Sequence, residues 1–530
     1  MVREAAIVFG AAAPASIYYT ASQAPSVTPA LRHDLLFPTD VGHAGQVESG
    51  ARPFRAQMGY INFTTENHGE SIELRWLPKD AAKDNATSDD IFRNLGPSSP
   101  YRPAVDLFPE TMSYQSIPPK CKIEQVHLIY RHGARYPNYE SKNGPRNLGD
   151  RIANAKATQQ FYAMGDLSFL YEWEYTLGLA KLVNQGAQDM FVAGSHAYYQ
   201  YGALLDQTTH KPVIRTTSQS RMLDSARYWT LGFFGWDAPT KVRLEVLTEA
   251  KHMNSTLSPK YACKNARKKR FKMGRQASSE WDKIFLPRVV QRLQPMLRGI
   301  NLTNEDVMDM MSTCAYETVG LGYSHFCRVF TKEEWENFEY SMDLRFQGDH
   351  GFMSPTGKAQ GIGWVTELKH RLLHKPFTGP WSSQNFTINT DQIYFPVDQP
   401  FYVDFTHDTV LTGIITALNL TQFGEFLDPK QLNPHRRYRA SHVTPFAARL
   451  VLEVIACDEE KWIRMKLNEA IIPLNQDQGC PNRKDGLCPL TGFIRHLEQA
   501  YDESMYGLSC FGKNGTDFVL YGPVHRGVPS

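Results

Sequence analysis

The stretch that most constrains this chain is the apolar run Val126-His127-Leu128-Ile129-Tyr130. It is entered at Ile123 and stops at Arg131-His132-Gly133-Ala134-Arg135-Tyr136-Pro137. A short β-rich run without strict polar alternation suits a strand buried on both faces, as in a parallel sheet. Such a strand delivers the residues after it to the carboxyl edge of the sheet, where α/β proteins bind ligands. Here those residues are a histidine between two arginines, with Gly133 admitting a tight turn. Two guanidiniums offer charge-assisted, often bidentate donors to an anion. They also repel a proton on the imidazole, so His132 is expected to stay neutral in acid. A plain basic surface turn does not call for a strand, a glycine and a closing proline in register around the histidine.

At 530 residues the chain is long enough for a large core and two structural units. A formal net charge of +2 gives no reason to expect a nucleic-acid partner. The run Arg267-Lys268-Lys269-Arg270 therefore reads as a solvated loop. The eight cysteines are an even set: Cys121, Cys263, Cys314, Cys327, Cys457, Cys480, Cys488 and Cys510. Seven Asn-x-Ser/Thr sequons stand at Asn62, Asn85, Asn254, Asn301, Asn385, Asn419 and Asn514. Together they favour an export route that oxidises thiols and glycosylates. The lack of a Cys-x-x-Cys pair weakens zinc and redox readings. Arg3, the apolar stretch Ala5 to Ala13 and small residues through Ala24 read as a signal peptide over 1–24, too short to span a bilayer; Glu4 is untypical of one. The expected product is a secreted glycoprotein, extracellular or in the periplasm or cell wall, with the vacuole as an alternative. Neither a membrane nor a nucleic acid is an expected partner.

Residues 25–90 are polar and read as an extension, with one strand at Ser71 to Leu77. The Pro-rich stretch Asn94 to Pro119 should wrap the surface. Residues 150–206 have helical spacing, Pro212 to Thr216 reads as a strand, and Ser218 or Ser220 is placed to cap the helix that carries Arg221, Met222, Ala226 and Trp229. Arg221 then stands in the first turn, at a strand-to-helix junction of the kind that binds anions. Arg243 to Thr248 is a further strand. Residues 279–374 read as helical, with a capping box at Thr331–Glu334 and Pro287 and Pro295 expected to kink or split the helix between Glu280 and Arg298. Phe401 to Thr406 returns to β and ends in His407-Asp408, before a helix over Thr409 to Leu420. A strand pair over Ala448 to Cys457 and Trp462 to Leu467, then a helix over Leu490 to Tyr501, close the chain. The fold class is α/β, a mainly parallel sheet flanked by helices, with an inserted, mainly α-helical cap domain. The expected boundaries are 91–235 and 355–530 for the α/β domain and 236–354 for the insert.

Hydrolysis of a phosphate monoester needs a nucleophile, a cationic cradle and an acid for the leaving alkoxide. His132 can supply the first. Arg131, Arg135 and Arg221 can supply the second without a metal or other cofactor. His407-Asp408, at a second strand-to-helix edge, adds a donor and a carboxylic acid. Three other patterns read as structural. His370 and His374 stand at helical spacing between Lys369 and Arg371, which suits a solvated face better than a metal site. Gly357, Gly361 and Gly363 follow no strand and only loosely resemble a nucleotide loop. Cys480 and Cys488 suit a short disulfide loop better than a metal site.

The order Arg-His-Gly-x-Arg, Ser-x-Ser-Arg, His-Asp resembles the histidine acid phosphatases, which include fungal phytases, from about Asn94 to the carboxyl terminus. The resemblance implies a phosphoglycerate-mutase-like sheet, His132 as the phosphorylated nucleophile, Asp408 as proton donor, and Arg131, Arg135, Arg221 and His407 as phosphate ligands. It also implies the disulfides Cys121–Cys457, Cys263–Cys510, Cys314–Cys327 and Cys480–Cys488. Ala134 with Tyr136-Pro137 is similar to the fungal phytases; Thr409 is similar to the broad-specificity acid phosphatases, and Asn138 departs from the Thr common in the phytases. The expected activity is that of a secreted acid phosphatase on small phosphate monoesters, with a phytase acting on inositol hexakisphosphate as the alternative. A phosphoglycerate-mutase-like phosphotransferase and an inactive phosphate-binding glycoprotein are more remote. The oligomeric state is not legible.

Overall fold

The computed structural model describes residues 91–138, 144–158, 160–206, 208, 210–520 and 524–529. The expected signal peptide, the polar extension with its strand at Ser71 to Leu77, Asn62 and Asn85 lie outside the described residues. The main sheet is built from β1 (Cys121–Arg131), β2 (Val213–Thr217), β3 (Arg243–Leu247), β4 (Phe401–Thr406), β5 (Arg449–Cys457), β6 (Glu460–Leu467), β7 (Ala470–Ile471) and β8 (Cys488–Pro489). The order is β8–β6–β5–β1–β4–β2–β3, with β7 on β6. β1, β4, β2 and β3 run parallel. From β5 outward the sheet continues antiparallel. Register aligns Arg131 with Thr406 and Thr217 with Leu247. The residues just beyond all four parallel strands therefore gather at one edge.

Nine longer helices flank or extend this sheet among the described residues. They are α1 (Pro145–Ala157), α2 (Asn184–Tyr201), α3 (Ser220–Phe234), α4 (Met273–Leu293), α5 (Asn304–Leu321), α6 (Lys332–His350), α7 (Gly357–Leu372), α8 (Asp408–Ala417) and α9 (Leu490–Glu503). Side chains alternate across each strand, and both faces are covered. Val126, Leu128, Tyr130, Val403 and Phe405 join Met190 of α2 and Met222 and Trp229 of α3 on one face. Ile129, Leu450 and Leu452 join Val365, Leu411, Ile414 and Phe493 of α7, α8 and α9 on the other. A separate core unites α1 with α4, α5 and α6 through Leu148, Trp281, Phe285, Met310, Trp335 and Phe338.

A buried charge network also locks the sheet to α7. The Asp404 carboxylate accepts from Arg215 Nε at 2.7 Å, Arg371 Nη1 at 2.9 Å and Trp364 Nε1 at 2.7 Å. Disulfides join Cys121 to Cys457, Cys263 to Cys510, Cys314 to Cys327 and Cys480 to Cys488. The first ties the start of β1 to the end of β5, its antiparallel neighbour. None of the described helices is long and apolar enough to cross a membrane.

Several local expectations fail for identifiable reasons. Residues 150–206 are not one helical stretch: a two-residue ribbon strand and a 3-10 turn separate α1 from α2, and Gly165 at φ 58° breaks the run. α4 passes through Pro287 unbroken. The lost hydrogen bond falls on the carbonyl of exposed Lys283, which water can satisfy. His370 does not lie on a solvated face. It is buried against the carbonyls of Lys375, Pro376 and Gly379, while His374 ends the helix at φ 52° and bonds the Val397 carbonyl. The Thr331–Glu334 capping box is present, and the Arg267–Arg270 run is exposed.

Gly357, Gly361 and Gly363 belong to α7 itself, and Gly361 stands where α7 crosses α8: a Cβ there would overlap the Gly413 carbonyl. We expect Gly361→Ala to cost about 1–3 kcal/mol through overpacking. Urea denaturation measures this, and an unchanged midpoint would show that the two helices can part at no cost.

Candidate active site

His132 comes directly after the last residue of β1 and is 1% exposed. Its backbone is clamped from two sides: its N–H donates to the Thr406 carbonyl at 3.2 Å, and its carbonyl accepts from Ala447 N–H at 3.0 Å. The ring Nδ1 lies 2.9 Å from the Gly133 carbonyl. A carbonyl can only accept, so Nδ1 carries the proton and Nε2 keeps its lone pair. Burial, then Arg131, Arg135, Arg221 and His407, hold the imidazole well below its ordinary titration range. Gly133 is not at positive φ. It is glycine because its α-carbon faces the Gly186 carbonyl in the first turn of α2, which leaves no room for a Cβ.

Arg131 is 1% exposed and fully engaged on one side. Nη1 donates to the Thr444 carbonyl at 2.6 Å and to the Pro97 carbonyl, and Nη2 pairs with Asp408 Oδ2 at 2.6 Å. Burial and the neighbouring Arg135 and Arg221 bring its guanidinium down to about 10, against the pull of Asp408. Arg221 is likewise lowered to about 10 by burial and Arg135. The Nε atoms of Arg131, Arg135 and Arg221 are buried without a protein acceptor. Three cationic donors thus surround one neutral imidazole, which suits a tetrahedral anion held against the Nε2 lone pair.

α3 carries Arg221 to this place, but not by the expected cap. Its N-cap is Gln219, whose side chain makes no capping bond; the Ser218 hydroxyl instead accepts from Glu249 N–H at 2.9 Å, and Ser220 is already helical. Ser225 of α3 fixes the loop after β1, accepting from Gly133 N–H at 3.1 Å and donating to the Arg221 carbonyl at 2.6 Å.

β4 delivers His407 and Asp408, the latter as the first residue of α8. The His407 ring meets that of His132 edge-on at 5.7 Å. Burial alone would raise the Asp408 carboxyl, but Arg131, Arg135, His407 and the Thr409 N–H outweigh it and hold it below the usual carboxylate range. All six residues singled out by the sequence, Arg131, His132, Arg135, Arg221, His407 and Asp408, are therefore brought together. The cysteines and sequons are not part of this cluster. Asn254 and Asn301 are exposed, and Asn385, Asn419 and Asn514 are half-buried. Among the described residues no cluster of His, Cys, Asp or Glu could hold a metal.

Three contributors have no signature of their own. Phe446 is a platform: the guanidiniums of Arg131 and Arg135 lie 4.6 and 5.9 Å from its ring centre, and the His132 ring at 6.2 Å. Tyr316 of α5 faces Arg135 at 5.9 Å. Burial would raise its phenol, but Arg135 and Ser98 bring it below the ordinary value. Glu249 contacts His407 Nε2 at 2.7 Å. It stands two residues beyond β3, so searching the carboxyl ends of every parallel strand would have found it.

Residues 122–468 match the histidine phosphatase superfamily (branch 2). Phytase A of Aspergillus fumigatus is 30% identical over 429 residues, 78% of this chain and 89% of that protein. The acid phosphatase of Schizosaccharomyces pombe is 30% identical over 413 residues, 74% of this chain and 83% of that one. The crystal structure of the phytase from D. castellii superposes with a TM-score of 0.67 at 24% identity, covering 84% of this chain and 94% of that one.

Replacing Arg135 by Gln removes one of the cations that keep a proton off His132. The neutral ring exists above its titration midpoint, so losing a repelling charge raises that midpoint. We expect the His132 ring resonances in Arg135→Gln to titrate about one pH unit higher than in the wild type. An unmoved midpoint would mean that Arg135 does not set the charge on His132.

Proposed function

The chain belongs to the histidine phosphatase superfamily, branch 2, and we propose that it is a secreted acid phosphatase working through a phosphohistidine on His132. One observation carries this reading: a buried imidazole whose Nδ1–H is tied to the Gly133 carbonyl and whose Nε2 is left among three guanidiniums. Arg131, Arg135, Arg221 and His407 would bind the phosphoryl oxygens and stabilise the charge that builds on them in transfer. Nε2 attacks phosphorus, the ester P–O bond breaks, and Asp408 gives its proton to the departing alkoxide. The phosphoimidazole keeps its Nδ1–H on Gly133. Water then attacks phosphorus, returns a proton to the Asp408 carboxylate, and releases phosphate with Nε2 free again.

The carboxyl of Asp408 is held low by the same arginines that bind phosphate. A bound monoester brings negative charge against those arginines, which relaxes their hold and returns Asp408 toward its protonated form. Acid conditions serve both partners: Asp408 can be loaded with a proton while burial and the arginines keep His132 neutral. Four disulfides support an extracellular destination. Phytase is the second reading, favoured by the 30% identity to phytase A over most of both chains. Turnover of p-nitrophenyl phosphate beside inositol hexakisphosphate distinguishes the two, and inactivity on both would reject the phosphatase reading.

His132→Ala should abolish hydrolysis, and acid-quenched wild type should carry labelled phosphate on this imidazole. Label on a serine, or near-normal turnover in the variant, would refute the assignment. Asp408→Asn should lose far more activity on an alkyl phosphate, whose alkoxide needs a proton, than on p-nitrophenyl phosphate, whose phenolate leaves unaided. Equal losses on both would pass the acid role to another carboxylate.

A further inference from the structure

Glu249 stands 158 residues before His407 in the chain yet lies against it at the sheet edge, and its side chain is 1% exposed. Its Oε1 accepts from His407 Nε2 at 2.7 Å. A carboxylate only accepts, so the ring proton on that side sits on Nε2. Oε2 accepts from Gln219 Nε2 at 2.7 Å and Ser258 Oγ at 3.0 Å, and Lys260 Nζ lies 3.5 Å away. Held on both oxygens, the carboxylate cannot swing away, and the ring it grips keeps one orientation. Nδ1 is then the nitrogen left to meet an anion. In a neutral ring protonated at Nε2, Nδ1 is a bare acceptor that would oppose a phosphoryl oxygen; in the doubly protonated ring it is a cationic donor.

We propose that Glu249 is a positioning residue of the phosphate site: it grips the His407 ring by Nε2 and supplies the counter-charge for a doubly protonated ring, whose Nδ1–H donates to a bound phosphoryl group. The proposal rests on the phosphatase reading above. The charged groups around the pair come from four elements: Lys260 from the turn Pro259–Tyr261, Arg221 from α3, Asp408 from α8 and His132 after β1. Lys260 and Arg221 oppose a charge on His407 and Asp408 favours it, while Glu249 is the carboxylate in hydrogen-bond contact with the ring. Glu249 is also well below the usual carboxylate range: burial works against this, but His407, Thr217 and Lys260 outweigh it. It therefore remains an anion throughout the acid working range.

Competitive inhibition by inorganic phosphate tests this, because phosphate is a monoanion at both about pH 4 and about pH 6. In Glu249→Gln we expect the inhibition constant to rise about tenfold at the higher pH and to stay within about twofold of wild type at the lower. KM should follow the inhibition constant, and kcat should change less. Glu249→Asp, which keeps the charge, should move the higher-pH value back toward wild type. The wild-type protein provides a second measurement that needs no variant: with phosphate bound, at about pH 6, both ring nitrogens of His407 should resonate as N–H in the ¹⁵N spectrum. A bare Nδ1 in that spectrum, or a loss of phosphate binding that is equal at both pH values, would overturn the proposal. If phosphate fails to inhibit even the wild type, the phosphatase reading itself falls.

Discussion

Three guanidiniums gathered around one buried imidazole repel one another, and much of the surrounding structure compensates that repulsion. Two like charges about 4 Å apart oppose each other by about 4 kcal/mol at the effective dielectric of a protein surface. No single contact cancels that for Arg131, Arg135 and Arg221. The relief is spread over the Asp408 carboxylate at 2.6 Å, the carbonyls of Pro97 and Thr444, and the π face of Phe446 beneath two of the guanidiniums. Burial, and after it the neighbouring arginines, lower the guanidiniums of Arg131 and Arg221. Burial and the positive field of the arginines together keep His132 neutral, and that field suits an anion.

Holding that arrangement requires parts of the chain far apart in sequence. Arg131 sits between the turn near Pro97 and the segment before β5, and those two segments are tied by Phe446 N–H donating to the Ser99 carbonyl at 3.0 Å. Ala447 takes φ 56°, a left-handed conformation that costs an alanine roughly 1–2 kcal/mol. Its N–H donates to the His132 carbonyl at 3.0 Å, which helps offset the cost and fixes Phe446 beneath the arginines. Level parallel strands do the rest, since β1 and β4 end at paired residues and β2 and β3 likewise. Side chains set just beyond four strand ends therefore meet at one edge of the sheet.

The sequence was most informative where chemistry and periodicity coincide. Arg131-His132-Gly133-Ala134-Arg135 and His407-Asp408 stand directly after apolar β-rich runs, so both their residue types and their placement could be read. Arg221 could be read because a strand and an amphipathic face bracket it. Phe446, Tyr316 and Glu249 could not be read in the same way. An aromatic ring under a guanidinium is local to nothing in the sequence, and a Thr-Glu pair after a strand looks like any polar turn. The Ser218 or Ser220 cap and the Pro287 kink failed for a related reason: whether a hydroxyl caps, or a proline kinks, depends on what else needs that group. Ser218 is taken by the Glu249 backbone, and the carbonyl that Pro287 leaves unpaired belongs to exposed Lys283, within reach of water.

Two carboxylates share the cationic field of this site, and both are held low, yet their surroundings suit them to opposite tasks. Glu249 is gripped from several directions, by His407, Gln219, Ser258 and Lys260, none of them among the arginines around His132. An incoming phosphate leaves those contacts in place, so its charge is permanent. Asp408 is 15% exposed, and its charge rests chiefly on Arg131, whose Nε also faces the cluster without a protein acceptor. An anion that engages Arg131 competes directly with Asp408 for the same guanidinium. Binding therefore weakens the hold on one carboxylate and leaves the other unchanged. Environments that separate two acids in this way fit the roles proposed for them, one to fix charge and one to move a proton.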